Sequence, residues 1–291
     1  MTKQIVIFGE ALWDIFPDGS RNLGGAPFNV AWHLQAFGMN PLFISCVGSD
    51  PLGEEIQQRM LSWGMNTRGL QIDPERLTGQ VKVTLHQGQA TYDIQANCAY
   101  DFIDKKQLPP LPQNFLLYHG SLALRNSISF ESFSELKNQA ESIFFDINLR
   151  APWWEKETIL HELKMAYYLK LNDEELTLLS EPFTSHHTAI EDLFRVPRLQ
   201  QIILTQGAAG ANFYGKNGDR HHISPETITE VVDTVGAGDA FCSVFLLGLI
   251  SDWLPEITLE RAQIFASAIV GIQGAVSQDP NFYRSFIEAW N

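Results

Sequence analysis

Short apolar runs closed by glycine or polar residues alternate with longer stretches of helical spacing along most of this chain. QIVIFGE near the N-terminus is a β-rich run ending in glycine, the pattern of a buried strand. After an irregular stretch, GGAPFNVAWHLQAFG sets Phe28, Val30, Ala31, Leu34 and Phe37 near helical spacing, with Gly38 as a C-cap. PLFISCVG reads as a second strand. PLGEEIQQRMLSWG reads as a second helix, preceded by Asp50 as N-cap and closed by Gly64. From residue 115 the rhythm returns in FLLYHG, SIFFDIN, AYYLKLN and QIILTQG, with helix-like stretches between them. Apolar strands alternating with helices predict an α/β fold, a mostly parallel sheet covered by helices on both faces. ANFYGKNGDRHHI adds a late hairpin, and two helices, about 237–250 and 258–275, close the chain.

Residues 79–95, GQVKVTLHQGQATYDIQ, have a different texture: Val81, Val83 and Leu85 alternate with polar residues, then a glycine-containing turn leads into a second alternating run. This predicts a hairpin with one wet face. Together with the segment near residues 11–23 it would form a small sheet apart from the main body. No internal repeat, low-complexity tract or linker interrupts the 291 residues, so residues 1–291 read as one domain carrying that appendage.

Composition adds constraints. Hydrophobic residues make up 45% and charged residues 19%, enough for a substantial core. A net charge of −14 argues against nucleic acid or an anionic membrane as partner, and a phosphate-bearing ligand would need a locally positive site. Cys46, Cys98 and Cys242 are odd in number and widely spaced, which fits buried thiols in a reducing cytoplasm better than a disulfide scaffold or a zinc site. The N-terminus lacks a signal peptide's apolar stretch, and the longest apolar run, about ten residues from Phe241, is too short to span a bilayer. The expectation is a soluble cytoplasmic protein.

In sheets of this class ligands gather at the C-terminal ends of the strands. Those ends carry Gly9-Glu10, Gly120-Ser121, Asp146 to Asn148, Asn172 to Glu175, and Thr205 to Gly207, so the polar residues converge on one rim. The stretch DTVGAGDAF, residues 233–241, stands directly before the apolar helix. Its glycines allow close approach of a ligand, and the amides of Gly236, Ala237, Gly238 and Asp239 lie at a helix N-terminus, which favours an anion. Asp239 in the same turn could take a proton from a hydroxyl held beside it, the pairing that phosphoryl transfer to an alcohol needs; the other reading is a helix cap on a glycine turn. The helix dipole predicts that Asp239 is ionised at neutral pH. The stretch lacks the lysine of a P-loop and the spacing of a dinucleotide fingerprint, which argues against a dinucleotide-dependent oxidoreductase.

DTVGAGDAF resembles the C-terminal signature of the ribokinase-like (PfkB) carbohydrate kinases. That family's N-terminal signature, a glycine pair followed by asparagine, is matched by Gly24-Gly25-Ala26-Pro27-Phe28-Asn29. GEALWDIFP, FDINLR and LNDEE are similar to the fructokinase branch, and the five segments occur in order over nearly the whole chain.

The resemblance implies a ribokinase-like α/β fold with a small β-sheet lid formed by segments near 11–23 and 79–100, and an ATP- and Mg2+-dependent kinase acting on a small sugar, fructose first. It implies Asp239 as catalytic base and the amides of Gly236, Ala237 and Gly238 as an anion hole. Asp14, Gly25 and Asn29 would bind the sugar. Asn172 and Glu175 match the family's Asn-x-x-Glu, which orders magnesium and phosphates, often through water; Asp173 and Glu174 read as an N-cap or first-turn acids. Thr205, Gly207 and Gly210 resemble its nucleotide-phosphate loop, although Gly210 also fits the start of the hairpin. Asp233, Val235 and Gly274 are the nearest matches to carbonyls that hold a monovalent cation such as K+. Arg150, in the pattern Asp146, Asn148, Arg150, contacts phosphate or substrate, or pairs with an acid at the rim. Trp153-Trp154 is either a sugar-stacking platform or packing. Tyr92 and Phe102 flank the lid and could close over the sugar. The pairs His186-His187 and His221-His222 do not suit a metal, because neighbouring residues do not face one another. The edge of the lid sheet invites pairing with a second copy, a homodimer. Ribose or 2-keto-3-deoxygluconate as acceptor, and a non-catalytic sugar- or nucleotide-binding regulator of the same fold, stay open beside fructose.

Overall fold

The apolar runs read as strands assemble into one nine-stranded sheet, and the alternating segments build a separate four-stranded one. The computed structural model describes residues 4–86, 89–181, 184–225 and 231–290. In chain order the elements are β1 (Gln4–Phe8), β2 (Leu12–Ile15), β3 (Arg21–Gly24), α1 (Ala26–Ala36), β4 (Leu42–Gly48), α2 (Pro51–Ser62), β5 (Leu70–Asp73), β6 (Gly79–His86) and β7 (Gln89–Ile94). There follow β8 (Phe115–His119), α3 (Ser127–Gln139), β9 (Ser142–Asp146), α4 (Lys156–Leu163), β10 (Tyr168–Asn172), α5 (Asp173–Leu179), α6 (His186–Leu193) and β11 (Gln201–Thr205). The chain continues through β12 (Ala211–Gly215), β13 (Arg220–Ile223), α7 (Ala237–Ile250), α8 (Pro255–Val270) and α9 (Pro280–Trp290).

The large sheet has the order β13-β12-β11-β10-β9-β8-β1-β4-β5. Pairing is parallel from β5 to β11, and β12 and β13 add an antiparallel edge. Period-2 alternation divides its side chains between two faces. Ile5, Ile7, Phe43, Tyr118 and Phe144 pack beneath α1, α7, α8 and α9. Val6, Phe8, Ile44 and Leu117 pack on the side of α3, and Phe145, Leu169, Leu171 and Leu204 on the side of α4 to α6. Helices thus cover both faces, as the sequence pattern predicts.

The small sheet has the order β3-β2-β6-β7, with β2 and β6 parallel and the outer pairs antiparallel. Asp50 ties it to the main body. Its carboxylate caps α2 by accepting from the Gly53 amide at 2.9 Å, and it also accepts from the Thr78 amide at 2.7 Å and the Thr78 hydroxyl at 2.8 Å, one residue before β6 begins.

Two expectations about the C-terminus need correction. The penultimate helix spans Pro255–Val270, not 258–275. Proline suits the first helical turn, and Gly271 and Gly274 end the run, Gly274 at φ 78°. A third closing helix, α9, follows; Phe282, Tyr283, Phe286 and Trp290 recur on one face and pack against α1 and α8. Tyr283 is bound to the buried His33 of α1, with its hydroxyl 3.0 Å from Nδ1.

Asp50→Ala removes a helix cap and two hydrogen bonds to a buried threonine together. We expect a loss on the order of 2–3 kcal/mol, the sum of a cap and charged hydrogen bonds, read as a lower urea midpoint; a change below about 0.5 kcal/mol would mean the Asp50–Thr78 link carries no weight.

Candidate active site

The C-terminal ends of β1, β9, β10 and β11, the N-termini of α1 and α7, and one face of the small sheet surround a cavity of about 530 Å³. Asp14, Gly25, Asn29, Arg150, Asn172, Thr205, Asp233, Val235, Gly236, Gly238, Asp239 and Gly274 all line it. Residues spread over 260 positions of sequence therefore meet in one place, as the rim argument expects.

Helix α7 starts from Gly236, whose φ of 80° is left-handed. A Cβ there would collide with Ala275, so glycine is required by both conformation and space. Gly25 plays the same part before α1: its φ is 104°, and a Cβ would lie 2.5 Å from the Glu10 carbonyl oxygen. Asp239 occupies the first turn of α7 but is not its cap. The half-buried carboxylate reaches across to α1, where Asn29 Nδ2 donates to Oδ2 at 2.8 Å. Oδ1 has no hydrogen-bond partner among the described residues. Burial pushes the Asp239 pKa up to about 6, against the Asn29 hydrogen bond, which lowers it. The dipole alone suggested a lower value; desolvation outweighs it, and the group is still mostly ionised at neutral pH.

Beneath the glycine turn lies a charged cluster that the sequence reading did not single out. Lys170 Nζ of β10 donates to Asp146 Oδ1 of β9 at 2.9 Å, both side chains buried. Asp146 Oδ2 also accepts from the Tyr118 hydroxyl at 3.0 Å and from the Cys242 thiol at 3.2 Å. Burial would push the Lys170 ammonium down, but the Asp146 carboxylate more than offsets this and holds it above its ordinary value. Lys170 lines the cavity, and its Nζ stands 3.6 Å from where a Gly238 Cβ would be.

Asp14 sits on the central strand β2 opposite Asn22 and Val81 and faces the cavity. Burial raises it to about 6, while Arg150 opposes the rise. Arg150 makes no ion pair among the described residues and acts electrostatically on Glu10, Asp14 and Asp239. The rim-pairing alternative therefore has no partner in the described chain.

Comparison with known proteins decides the family. Residues 11–281 match the pfkB family carbohydrate kinases. The chain belongs to that family. It is 30% identical over 273 residues to a fructokinase of Klebsiella pneumoniae, covering 88% of this chain and 87% of the relative. It is 26% identical to the aminoimidazole riboside kinase of Salmonella typhimurium, covering 96% and 92%. Among solved structures, a fructokinase double mutant from Vibrio cholerae in fructose, ADP and potassium ion bound form superposes with a TM-score of 0.83 at 25% identity, over 98% of both chains. The aminoimidazole riboside kinase of Salmonella enterica, complexed with aminoimidazole riboside and an ATP analog, superposes with a TM-score of 0.84 at 25% identity, over 98% of this chain and all of that one. The fold is ribokinase-like, and the protein is a carbohydrate kinase.

Some residues of this pfkB kinase lie away from the cavity. Ala237 is the first residue of α7 but does not line it. Glu175 faces inward: its carboxylate accepts the Asn172 amide at 2.9 Å and the Leu149 amide at 2.8 Å, closing a capping box with Asn172. Gly207 stands in an exposed turn beyond the cavity, and Gly210 abuts Ile223 where β12 begins, which favours its hairpin reading. Asp173 binds Gln206 and leaves the capping to Asn172. Tyr92 lines the cavity from β7, whereas Phe102 lies beneath the Arg76 guanidinium, 3.5 Å away. Trp153 and Trp154 line a different cavity. The histidine pairs contact acids, Asn212 or Ser224, and among the described residues no cluster of three or more His, Cys, Asp or Glu suits a metal. All three cysteines are free and buried. No helix among the described residues is long and apolar enough to cross a membrane.

Glu10 is the other residue that sequence reasoning passed over, as a strand end. It is buried against the cavity, its Oε2 has no partner, and burial raises its pKa from 4.5 to about 7. The folded state keeps this proton where the unfolded chain releases it, so its stabilising contribution is full below about 4.5 and lost as pH rises through about 7. Glu10→Gln cannot ionise. Relative to the parent it should gain on the order of 2–3 kcal/mol between about pH 5 and about pH 8.5 in paired urea titrations; the same difference at both pH values would mean that Glu10 ionises freely in the fold.

Proposed function

We propose that this protein is an ATP-dependent kinase that phosphorylates a primary hydroxyl of a small sugar, with fructose the acceptor its relatives support best. The observation that carries the reading is the Asn29–Asp239 hydrogen bond at the mouth of the glycine turn. With Oδ2 engaged by Asn29, Oδ1 is left to accept a proton from a hydroxyl, and the Gly236 and Gly238 backbone lies alongside to receive a phosphoryl group.

In this reading the sugar binds Asp14, Gly25 and Asn29 beneath the small sheet, with Tyr92 over it. A carboxylate suits a polyol because it accepts two hydroxyl hydrogen bonds at once. Asp239 takes the hydroxyl proton, the oxygen attacks the γ-phosphorus, and the bond to the ADP oxygen breaks. Lys170 and Arg150 are the cations lining the cavity, and they would offset the charge spread over the phosphoryl oxygens. The small sheet acts as a lid that excludes water, which would otherwise compete as acceptor. Residues 1–291 then work as one kinase domain.

The nucleotide would run from Asn172 and Thr205 towards Gly207 and Gly210. Magnesium neutralises nucleotide phosphates when bound. The residues here fit an ion held largely by phosphate and water, since both Glu175 oxygens already accept backbone amides. The Asp233 carboxylate accepts from the Val235 and Gly274 amides at 3.0 and 3.1 Å, which brings the three residues assigned to a monovalent cation together and supports K+ beside the anion hole. Buried free thiols fit a reducing cytoplasm. Edge strands β3 and β7 suit pairing of two lids in a homodimer.

A riboside acceptor is the second reading, supported by the similarity to aminoimidazole riboside kinase. ADP release with Mg-ATP over fructose, ribose, glucose, mannose, 2-keto-3-deoxygluconate and aminoimidazole riboside separates the two. ATP binding with no turnover on any of them would instead favour a regulator.

Asp239→Asn should lower kcat at least ~10²-fold with nucleotide affinity little changed; near-parental turnover would remove Asp239 as base. Since Asp239 must be ionised to act, kcat/KM should fall as pH drops through about 6, and Asn29→Ala, which removes the hydrogen bond that lowers this pKa, should move that limb to higher pH. Asp14→Ala should raise KM for the sugar more than for ATP, and the opposite order would relocate the sugar pocket.

A further inference from the structure

A second cavity, of about 260 Å³, opens on the other side of residues 148–154. Its walls include Ser121, Arg125, Trp153, Trp154, Glu155 and Thr158. None of these belongs to the machinery assigned above.

Arg125 is the unusual group. Its side chain is 7% exposed, and Nε and Nη2 bind the Asp101 carboxylate at 2.7 and 2.8 Å. Nη2 also donates to the Tyr100 hydroxyl and the Gln95 carbonyl, and the guanidinium lies 4.4 Å from the Trp153 ring centre. Nη1 is buried without a hydrogen-bond partner among the described residues.

The charges define the class of ligand that the cavity suits. Arg125 is neutralised by Asp101. Glu162, also in the wall, is neutralised by Lys137 at 2.7 Å. Glu155 remains at the exposed rim with no ion pair among the described residues. A wall that is neutral inside and negative at its edge disfavours an anion. It offers the Ser121 and Thr158 hydroxyls and a carboxylate acceptor beside two indoles. That mixture fits a neutral polyol, whose hydroxyls need donors and acceptors while its C–H faces lie against aromatic rings. At half the volume of the main cavity it suits one monosaccharide and not a nucleotide.

The two cavities share a backbone segment. The Trp153 amide donates to the Arg150 carbonyl at 2.7 Å, and the Ser121 hydroxyl donates to the Asn148 carbonyl at 3.3 Å. Asn148 and Arg150 line the main cavity. We propose that the cavity between Trp153, Trp154 and Arg125 is a regulatory site for a neutral monosaccharide, which acts on the main site through residues 148–153. The binding claim goes beyond the kinase reading and does not need it; the regulatory claim rests on it.

Saturation-transfer NMR on the full-length Asp14→Ala protein, with fructose, glucose, mannose and ribose as probes, tests binding outside the main pocket. At least one sugar should bind, and adding Trp154→Leu should weaken it about tenfold, the scale of losing an aromatic anchor. Glu155→Lys, on the exposed rim, gives a second variant should Trp154→Leu fail to fold, and it too should weaken binding. No bound sugar, or binding that neither change affects, overturns the proposal. In the wild-type enzyme the same sugar should shift KM for the phosphorylated acceptor at least about fivefold, the low end of usual coupling, and Trp154→Leu should abolish the shift. An unshifted KM overturns the regulatory part, while an inactive enzyme that still binds the probe would count against the kinase reading alone.

Discussion

A buried charge needs a buried countercharge, and the ion pair between Lys170 and Asp146 is the constraint around which this site is organised. The two residues are direct neighbours across β9 and β10, so strand register itself sets their separation. Asp146 then collects the Tyr118 hydroxyl from β8 and the Cys242 thiol from α7. One carboxylate thus joins three strands to the helix whose N-terminus carries the glycine turn. Removing either charge would leave the other stranded in an apolar layer, and the helix above would lose its registration on the sheet.

The cavity around that pair poses an electrostatic difficulty. The chain carries a net charge of −14, and the cavity wall contains Glu10, Asp14, Asp233 and Asp239. Burial raises Glu10 to about 7, so it carries only part of a negative charge near neutral pH, while Asp14 and Asp239, raised to about 6, stay mostly ionised. Lys170 is matched by Asp146, so Arg150, which has no ion pair among the described residues, supplies the local positive potential that a phosphate-bearing ligand needs on an acidic protein.

Much of this was legible in the sequence, because apolar periodicity reports burial directly. The parallel strands, α7, the Asp50 cap and the separate small sheet follow from pattern and motif, and most of the residues that the motifs assign to the site line the cavity. Lys170 did not, since a lone lysine in an apolar strand carries no mark of a partner 24 positions away. Glu10 was hidden for a similar reason: its environment is made by Gly25 and α1, not by its own neighbours. Glu175 was recognised as important, but a motif gives no direction to a side chain, and only the fold turns its oxygens to the Leu149 and Asn172 amides. The aromatic spacing of α9 was present and went unread, its short run obscured by the glycines before it.

The parallel pairing of β2 with β6 bears on how the molecule comes to exist. These strands are separated by β3, α1, β4, α2 and β5, so their alignment closes a long loop. Non-local pairing of this kind is slow to form, because its entropy is lost before its contacts are gained. The pairing of β1 with β8 in the main sheet spans a still longer stretch of chain, so both walls of the cavity depend on contacts between distant parts of the sequence and neither is built by a local segment alone.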